Sequence, residues 1–249
     1  MERKPPLFLA PRIFIHKLWV IMANSQPIRL VLFDVDGTLI RTGGAGVKAF
    51  AQALASEFGV ANGTELLKFG GRTDLSLVRE LFSLRQIEPS AKNFERFFAA
   101  YLFWLEKLMQ ESKGGACPGV PEFCRALAMR EDPPPLGLLT GNIRRGAQIK
   151  LQRFALWEQF PFGSFGDDHE ERDRIAAVAL QRGSQRLGRP LQGGEVLVIG
   201  DTPLDIRCAR AIGAKMLAVA TGSFTVAQLE EHHPDWAVEN LTKIAPGDL

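Results

Sequence analysis

The chain has little cysteine and no long hydrophobic run. Its three cysteines, Cys117, Cys124 and Cys208 among 249 residues, are an odd number without metal-site spacing. They argue against a disulfide framework and for a reducing, cytoplasmic setting. No apolar stretch reaches the roughly 18 residues that a membrane-spanning helix needs, so no membrane partner is expected. An excess of one charge is lacking as well. The formal net charge is +2, and residues 1–21 hold Arg3, Lys4, Arg12 and Lys17 against Glu2, which leaves the rest of the chain near neutrality. That balance gives no electrostatic footprint for nucleic acid. Internal repeats and low-complexity tracts are absent from the sequence. What remains is an ordinary globular composition, 46% hydrophobic and 23% charged. It excludes disorder, collagen and coiled coil, and it supplies ample material for a core.

Residues 1–28 need a separate reading. A basic start followed by apolar residues suggests a signal peptide, but Pro11, Arg12, His16 and Lys17 interrupt the stretch and no small-x-small cleavage pattern is clear. A start at Met22 would give a short polar lead into a strand. We therefore expect an N-terminal extension, either an over-extended start or a loose tail, in preference to a targeting signal or a membrane-surface helix.

From residue 29 the pattern alternates. Residues 29–33 form a nearly continuous apolar run, as expected of a strand buried on both faces, and such strands favour parallel sheets. Similar runs recur at 136–140, 196–200 and 215–220, with helical patterns between them at 144–154, 174–187 and 203–212. Alternating strand and helix predicts an α/β fold. Residues 41–135 interrupt the alternation with helical patterns at 47–58, 75–84, 94–110 and 120–129. Phe94, Phe97, Phe98, Tyr101, Leu105 and Leu108 follow helical spacing and are expected to form helix-bundle core. Gly43-Gly44-Ala45-Gly46 and Gly114-Gly115 are natural hinges at the two ends of this insert. The helix after Pro118-Gly119 is expected to belong to the α/β part.

Three of the apolar runs end in small and polar residues: Asp34-Val35-Asp36-Gly37-Thr38, Thr140-Gly141-Asn142 and Gly200-Asp201-Thr202. In open parallel sheets ligands bind at the carboxyl ends of strands, so these ends are expected to converge on one crevice. Asp34 and Asp36 in one turn repel unless one is protonated or a cation is near. Asp201 and Asp205 add to the anionic density, and an all-oxygen cluster of this kind suits Mg²⁺. A carboxylate can attack phosphorus and split hydrolysis into two steps. A second group must then protonate the leaving alkoxide and afterwards deprotonate water. Asp34 and Asp36 are the natural pair. The Thr140 hydroxyl could donate to a phosphate oxygen, and Gly141 and Asn142 could add backbone N–H donors at a helix start.

Taken together these segments resemble the haloacid dehalogenase superfamily. Asp34-Val35-Asp36-Gly37-Thr38-Leu39 is similar to its first motif, Thr140 to its second, and Gly200-Asp201-Thr202-Pro203-Leu204-Asp205 to its fourth. The resemblance covers residues 29–245 and is closest to the phosphoglycolate phosphatase and β-phosphoglucomutase branch. It implies an α/β protein with a Rossmann-like parallel-sheet core (residues 29–43 and 115–249) and an inserted α-helical cap (44–114). It also implies Asp34 as nucleophile and Asp36 as acid/base. Mg²⁺ would be held by the Asp34 side chain, the Asp36 backbone carbonyl and Asp201, with Asp205 nearby or through water.

The expected activity is Mg²⁺-dependent hydrolysis of a small phosphorylated metabolite through an aspartyl-phosphate, by a monomer or homodimer. A phosphomutase and a catalytically silent binding module on the same fold are the alternatives. Dehalogenation would not need the acidic cluster. Phosphonate cleavage would need a cap lysine in a pocket motif, and Lys48, Lys68, Lys92, Lys107 and Lys113 show none.

The sequence departs from the family at the third motif, where the usual Lys is missing from residues 165–174. Arg172, at the start of the following helix, is the first candidate for that cation, since it could bind phosphate bidentately. Lys150 is the second, about two turns into the helix after Thr140 and expected to point away. In the cap, Gly70-Gly71-Arg72-Thr73-Asp74 reads as a tight loop into a helix capped by Thr73 or Asp74. Arg72 is expected to bind the distal anion of the substrate.

Overall fold

The computed structural model describes residues 26–249. The N-terminal extension expected over residues 1–28 lies almost wholly outside them. Six parallel strands form the central sheet: β1 (Leu30–Phe33), β4 (Leu136–Leu139), β5 (Phe162–Ser164), β6 (Val196–Gly200), β7 (Lys215–Val219) and β8 (Trp236–Val238). Their order is β5-β4-β1-β6-β7-β8. The chain thus leaves β1 toward one edge, returns past it, and continues to the other edge. β1 stands at the point where the strand order reverses, which is where open α/β sheets bind ligands. Val31 and Phe33 pack on one face of the sheet with Leu138 and Ile199, while Leu30 and Leu32 pack on the other with Leu139 and Val198. Successive strand residues point to opposite faces, and both faces are covered, so β1 must be apolar at every position.

The covering helices are α4 (Val120–Ala128), α5 (Arg144–Gln152), α6 (Arg172–Arg186) and α7 (Pro203–Ala211), with a short α8 (Val226–Glu230) near the end. A two-stranded antiparallel ribbon, β2 (Ile40–Arg41) with β3 (Gly115–Ala116), carries the chain out of the sheet layer and back. Between them lie α1 (Ala45–Phe58), α2 (Asp74–Leu84) and α3 (Ala91–Gln110). These three share an apolar cluster built on Phe50, Leu54, Leu81, Phe82, Phe97, Tyr101 and Leu105, which Ile143 and Ile149 join from α5 and its start. Phe50 packs edge-on against Phe97 and Tyr101, at 5.2 and 4.6 Å between ring centroids. Of the six residues expected in this core, Phe97, Tyr101 and Leu105 are fully buried, and Phe94, Phe98 and Leu108 pack against them half-buried.

The observed α6 begins at Arg172, two residues before the sequence pattern suggests. β5, β8 and α8 have no counterpart in the sequence pattern. Among the described residues no helix is long and apolar enough to cross a membrane.

Candidate active site

The carboxyl ends of β1, β4 and β6 meet around one cavity of about 270 Å³. Directly after β1 the chain turns back on itself. Leu39 and Ile40 both donate their N–H to the Val35 carbonyl at 3.0 Å. Gly37 makes that turn possible twice over. Its φ of +86° is open mainly to glycine, and a Cβ there would overlap the Asp201 carboxylate. The turn therefore sets Asp34 against Asp201 and turns Asp36 the other way.

The two aspartates of that turn face different cations. Asp34 is buried and accepts a 2.8 Å hydrogen bond from Nη2 of Arg172. The same guanidinium also pairs with Asp205, and its Nη1 donates to the Gly71 carbonyl at 3.2 Å. Burial raises the Asp34 carboxyl to about 6; the Arg172 charge opposes this, and Asp205 and Asp36 reinforce it. Burial works against the Arg172 charge, but Asp205 and Asp34 outweigh it and hold the guanidinium firmly protonated. Asp36 instead accepts from Nζ of Lys150 at 2.6 Å and from Nδ2 of Asn142 at 2.8 Å. Lys150 also donates to Oδ1 of Asn142 at 2.5 Å.

Lys150 therefore does not point away as expected. Side chains in a helix lean back toward its N-terminus, and the N-terminus of α5 is the end that faces the site. The four-carbon stem carries the ammonium that distance, and Lys150 is buried. The structure brings two cations to the site where one was sought, Arg172 on Asp34 and Asp205 and Lys150 on Asp36.

Thr140 is fully buried, and its hydroxyl oxygen accepts from Nδ2 of Asn142 at 2.8 Å and from the Asn142 backbone N–H at 3.3 Å. Having one hydrogen and two acceptor sites, that hydroxyl keeps its proton for a further acceptor. Gly141 lies where core and helical insert touch: a Cβ on it would overlap the Arg72 carbonyl.

Asp34, Asp201 and Asp205 are all buried and offer carboxylate oxygens within 4.8 Å of one another. Asp201 accepts from the Thr38 hydroxyl at 3.1 Å. Burial and the neighbouring Asp205 and Asp34 push Asp201 well above the usual carboxylate range. Asp205 also serves the local fold. It forms a capping box with Thr202 at the start of α7, accepting from its N–H at 3.0 Å and its hydroxyl at 2.7 Å. Three carboxylates against the single Arg172 leave an excess of negative charge. The all-oxygen donor set and the side-chain-free surfaces of Gly37 and Gly222 beside Asp201 fit a hard divalent cation such as Mg²⁺. The Asp36 side chain is not part of this trio.

Arg72 borders the cavity, but its guanidinium is already partnered. It runs along the helix that follows, α2, to Glu80 and the Ser76 carbonyl. Three residues of the site, Asp74, Tyr101 and Thr38, are not marked as such by the sequence. Asp74 is buried, gives its N–H to the Gly141 carbonyl and accepts from the Ile143 N–H, both at 2.8 Å. Burial raises it to about 7 against the pull of Lys150. Thr73, not Asp74, caps α2, accepting from the Ser76 N–H at 3.2 Å. Tyr101, expected only as core, borders the cavity, and Thr38 orients Asp201. A carboxylate following a capping Thr looks the same in sequence whether it faces water or a site. Asp167 and Asp168 serve the local fold: Asp167 accepts from the Arg144 N–H at the start of α5, and Asp168 pairs with Arg182.

This arrangement has known relatives. Residues 31–219 match the haloacid dehalogenase-like hydrolase family. A phosphoglycolate phosphatase of Chromobacterium violaceum is 28% identical over 207 residues, covering 80% of this chain and 88% of its own. A protein of Caldanaerobacter subterraneus subsp. tengcongensis, provisionally named pyrophosphatase PpaX, is 26% identical over 87% of this chain and 93% of its own length. Among solved structures, CbbY from Rhodobacter sphaeroides in complex with phosphate superposes with a TM-score of 0.71 at 19% identity, covering 89% of this chain and all of that one. The chain belongs to the haloacid dehalogenase-like hydrolase family, and it is an enzyme of the hydrolase class.

Proposed function

We propose that the chain is a Mg²⁺-dependent phosphatase that hydrolyses a small phosphomonoester through an aspartyl-phosphate on Asp34. The observation that carries this reading is the division of labour between two aspartates one residue apart. Asp34 lies buried on Arg172, among the carboxylates suited to a cation. Asp36 lies on Lys150 and Asn142, with its side chain 39% exposed toward the cavity. Environments that separate two carboxyls in this way let one act as nucleophile and the other as acid and base.

In the first step an Asp34 oxygen bonds to phosphorus as the bond to the leaving alkoxide breaks, and Asp36 gives that alkoxide its proton. In the second step Asp36 takes a proton from water, the water oxygen bonds to phosphorus, and the acyl-phosphate bond breaks to restore the Asp34 carboxylate and release phosphate. The Thr140 hydroxyl donates to a phosphoryl oxygen, and Arg172 balances Asp34 and Asp205. Asp34, the Asp36 carbonyl and Asp201 would hold Mg²⁺, with Asp205 beside them. When bound, it supplies positive charge that screens the phosphoryl oxygens from the nucleophile.

Phosphate release is expected to require Mg²⁺, to vanish in EDTA, and to fail when Ca²⁺ replaces Mg²⁺, because Ca²⁺ accepts looser and higher coordination. A colorimetric phosphate assay on acetyl phosphate checks this, and full activity in EDTA would contradict it.

Lys150 acts through Asp36 and is a positioning residue. Lys150→Met is expected to lower kcat roughly tenfold to a hundredfold with little change in KM, as for a general acid that is misplaced but present. The loss should be smaller with an aryl phosphate, whose leaving group needs less protonation. An equal loss on aryl and alkyl esters would mean that Lys150 serves only the fold.

A further inference from the structure

The wall opposite the acidic trio suggests what the leaving group is like. We infer that the alcohol released here is uncharged and partly apolar, so that the substrates are monophosphate esters of a neutral alcohol and not phosphorylated carboxylic acids. The inference rests on the phosphatase reading above and narrows it.

The helical insert contributes Val47, Phe50, Phe69, Leu77 and Tyr101 to the cavity lining. Phe50, Leu77 and Tyr101 are almost wholly buried, and the Phe50 ring stands 5.5 Å from Phe69 and 4.6 Å from Tyr101. A carboxyl and a guanidinium of the insert, those of Asp74 and Arg72, reach the same lining. Asp74 has the sign that repels a substrate carboxylate. With its carboxyl raised to about 7 by burial, it is partly protonated near neutrality and suited to a neutral hydroxyl.

The cations are already matched. Arg72 is on Glu80, Arg172 on Asp34 and Asp205, and Lys150 on Asp36. Among the described residues, every cation that borders the cavity therefore has a carboxylate partner. A second anion on the substrate would enter an apolar wall without a counter-charge, which is costly. It would also meet Asp74, so the site selects against it as well as for an apolar group. The cavity is at the small end of ligand pockets, which run roughly 300–1,000 Å³. It suits one compact ring or short chain beside the phosphoryl group.

The test compares benzyl phosphate with 2-phosphoglycolate at saturating Mg²⁺. Both release primary alcohols, so intrinsic leaving ability differs little, and acetyl phosphate reports the phosphatase chemistry itself. The wild type is expected to favour benzyl phosphate in kcat/KM by at least about tenfold, the discrimination that a pocket of matched polarity commonly achieves. Val47 is 41% exposed on α1, so Val47→Lys can add a cation to the wall without disturbing the core. That variant should shift the ratio toward 2-phosphoglycolate several-fold, whatever its rate on acetyl phosphate. Equal or better use of 2-phosphoglycolate by the wild type would overturn the inference and leave the phosphatase reading standing. An unchanged ratio in an active Val47→Lys enzyme would likewise count against the assignment of this wall. Failure to release phosphate from all three compounds would overturn the phosphatase reading, and the inference with it.

Discussion

Asp34→Asn is expected to reduce turnover by at least roughly 10³-fold, the scale on which loss of a nucleophile is felt, while the protein stays folded. The amide can still accept the hydrogen bond from Arg172, so the guanidinium keeps its place between positions 34 and 205. It cannot form an acyl-phosphate under the conditions of turnover. Stability should not fall. The Asp34 carboxyl is raised by burial to about 6, so above that pH its charged form is less favourable in the fold than in the unfolded chain. A neutral amide relieves this cost and the repulsion from Asp205. Thermal unfolding in EDTA at pH 7.5 should therefore show the variant at or above the wild type. Phosphatase activity near wild type would remove Asp34 from the mechanism. A collapse of the fold would show that its charge is structural.

Arg172→Ala should be harmful in two ways at once. It strips the counter-charge from Asp34 and Asp205, which are both buried, and breaking one side of a buried pair costs about 3–5 kcal/mol. It also removes a preorganised donor beside the reacting carboxylate, for which about a 10²-fold loss in kcat is usual. Saturating Mg²⁺ should recover part of the stability, because an added cation relieves the same repulsion. It should not recover the rate, since only a guanidinium can bond to Asp34, Asp205 and the Gly71 carbonyl from one position. Arg172→Lys, with one compact charge, should fall between the wild type and Ala. Circular dichroism and thermal melts separate folding from rate. A folded Arg172→Ala enzyme with undiminished kcat would show that the charge on Asp34 needs no fixed partner.

How much of this is legible in the sequence depends on length and direction. β1, β4, β6 and β7 stand out because each is a nearly continuous apolar run of four or five residues, and the first three end at a polar turn. β5 and β8 have three residues each, too few to show a period, and β5 reads Phe-Gly-Ser. The acidic trio is legible because the Asp34 and Asp201 turns follow apolar strands directly. The cation at Arg172 follows from a charge requirement and from its place before a helix. Lys150 defeats the helical phase, which gives the direction of Cα–Cβ, whereas a long side chain travels a turn or more toward the helix start. The expectation for Arg72 misses a local competitor, Glu80, on the helix that follows it. The apolar wall of the cavity cannot be foreseen, because its residues come from three separate helical segments and its lining loop, and their spacing marks them equally as core.

Whether Asp34 carries the phosphoryl group can be tested on the wild-type enzyme. Protein turning over acetyl phosphate with Mg²⁺ can be quenched, reduced with borohydride and mapped by peptide mass spectrometry. Reduction converts an acyl-phosphate, and not a free carboxylate, to the alcohol. Conversion is expected at Asp34 alone, dependent on Mg²⁺ and absent when substrate is omitted. Conversion at Asp36, or steady turnover with no conversion at either position, would contradict the aspartyl-phosphate mechanism on Asp34.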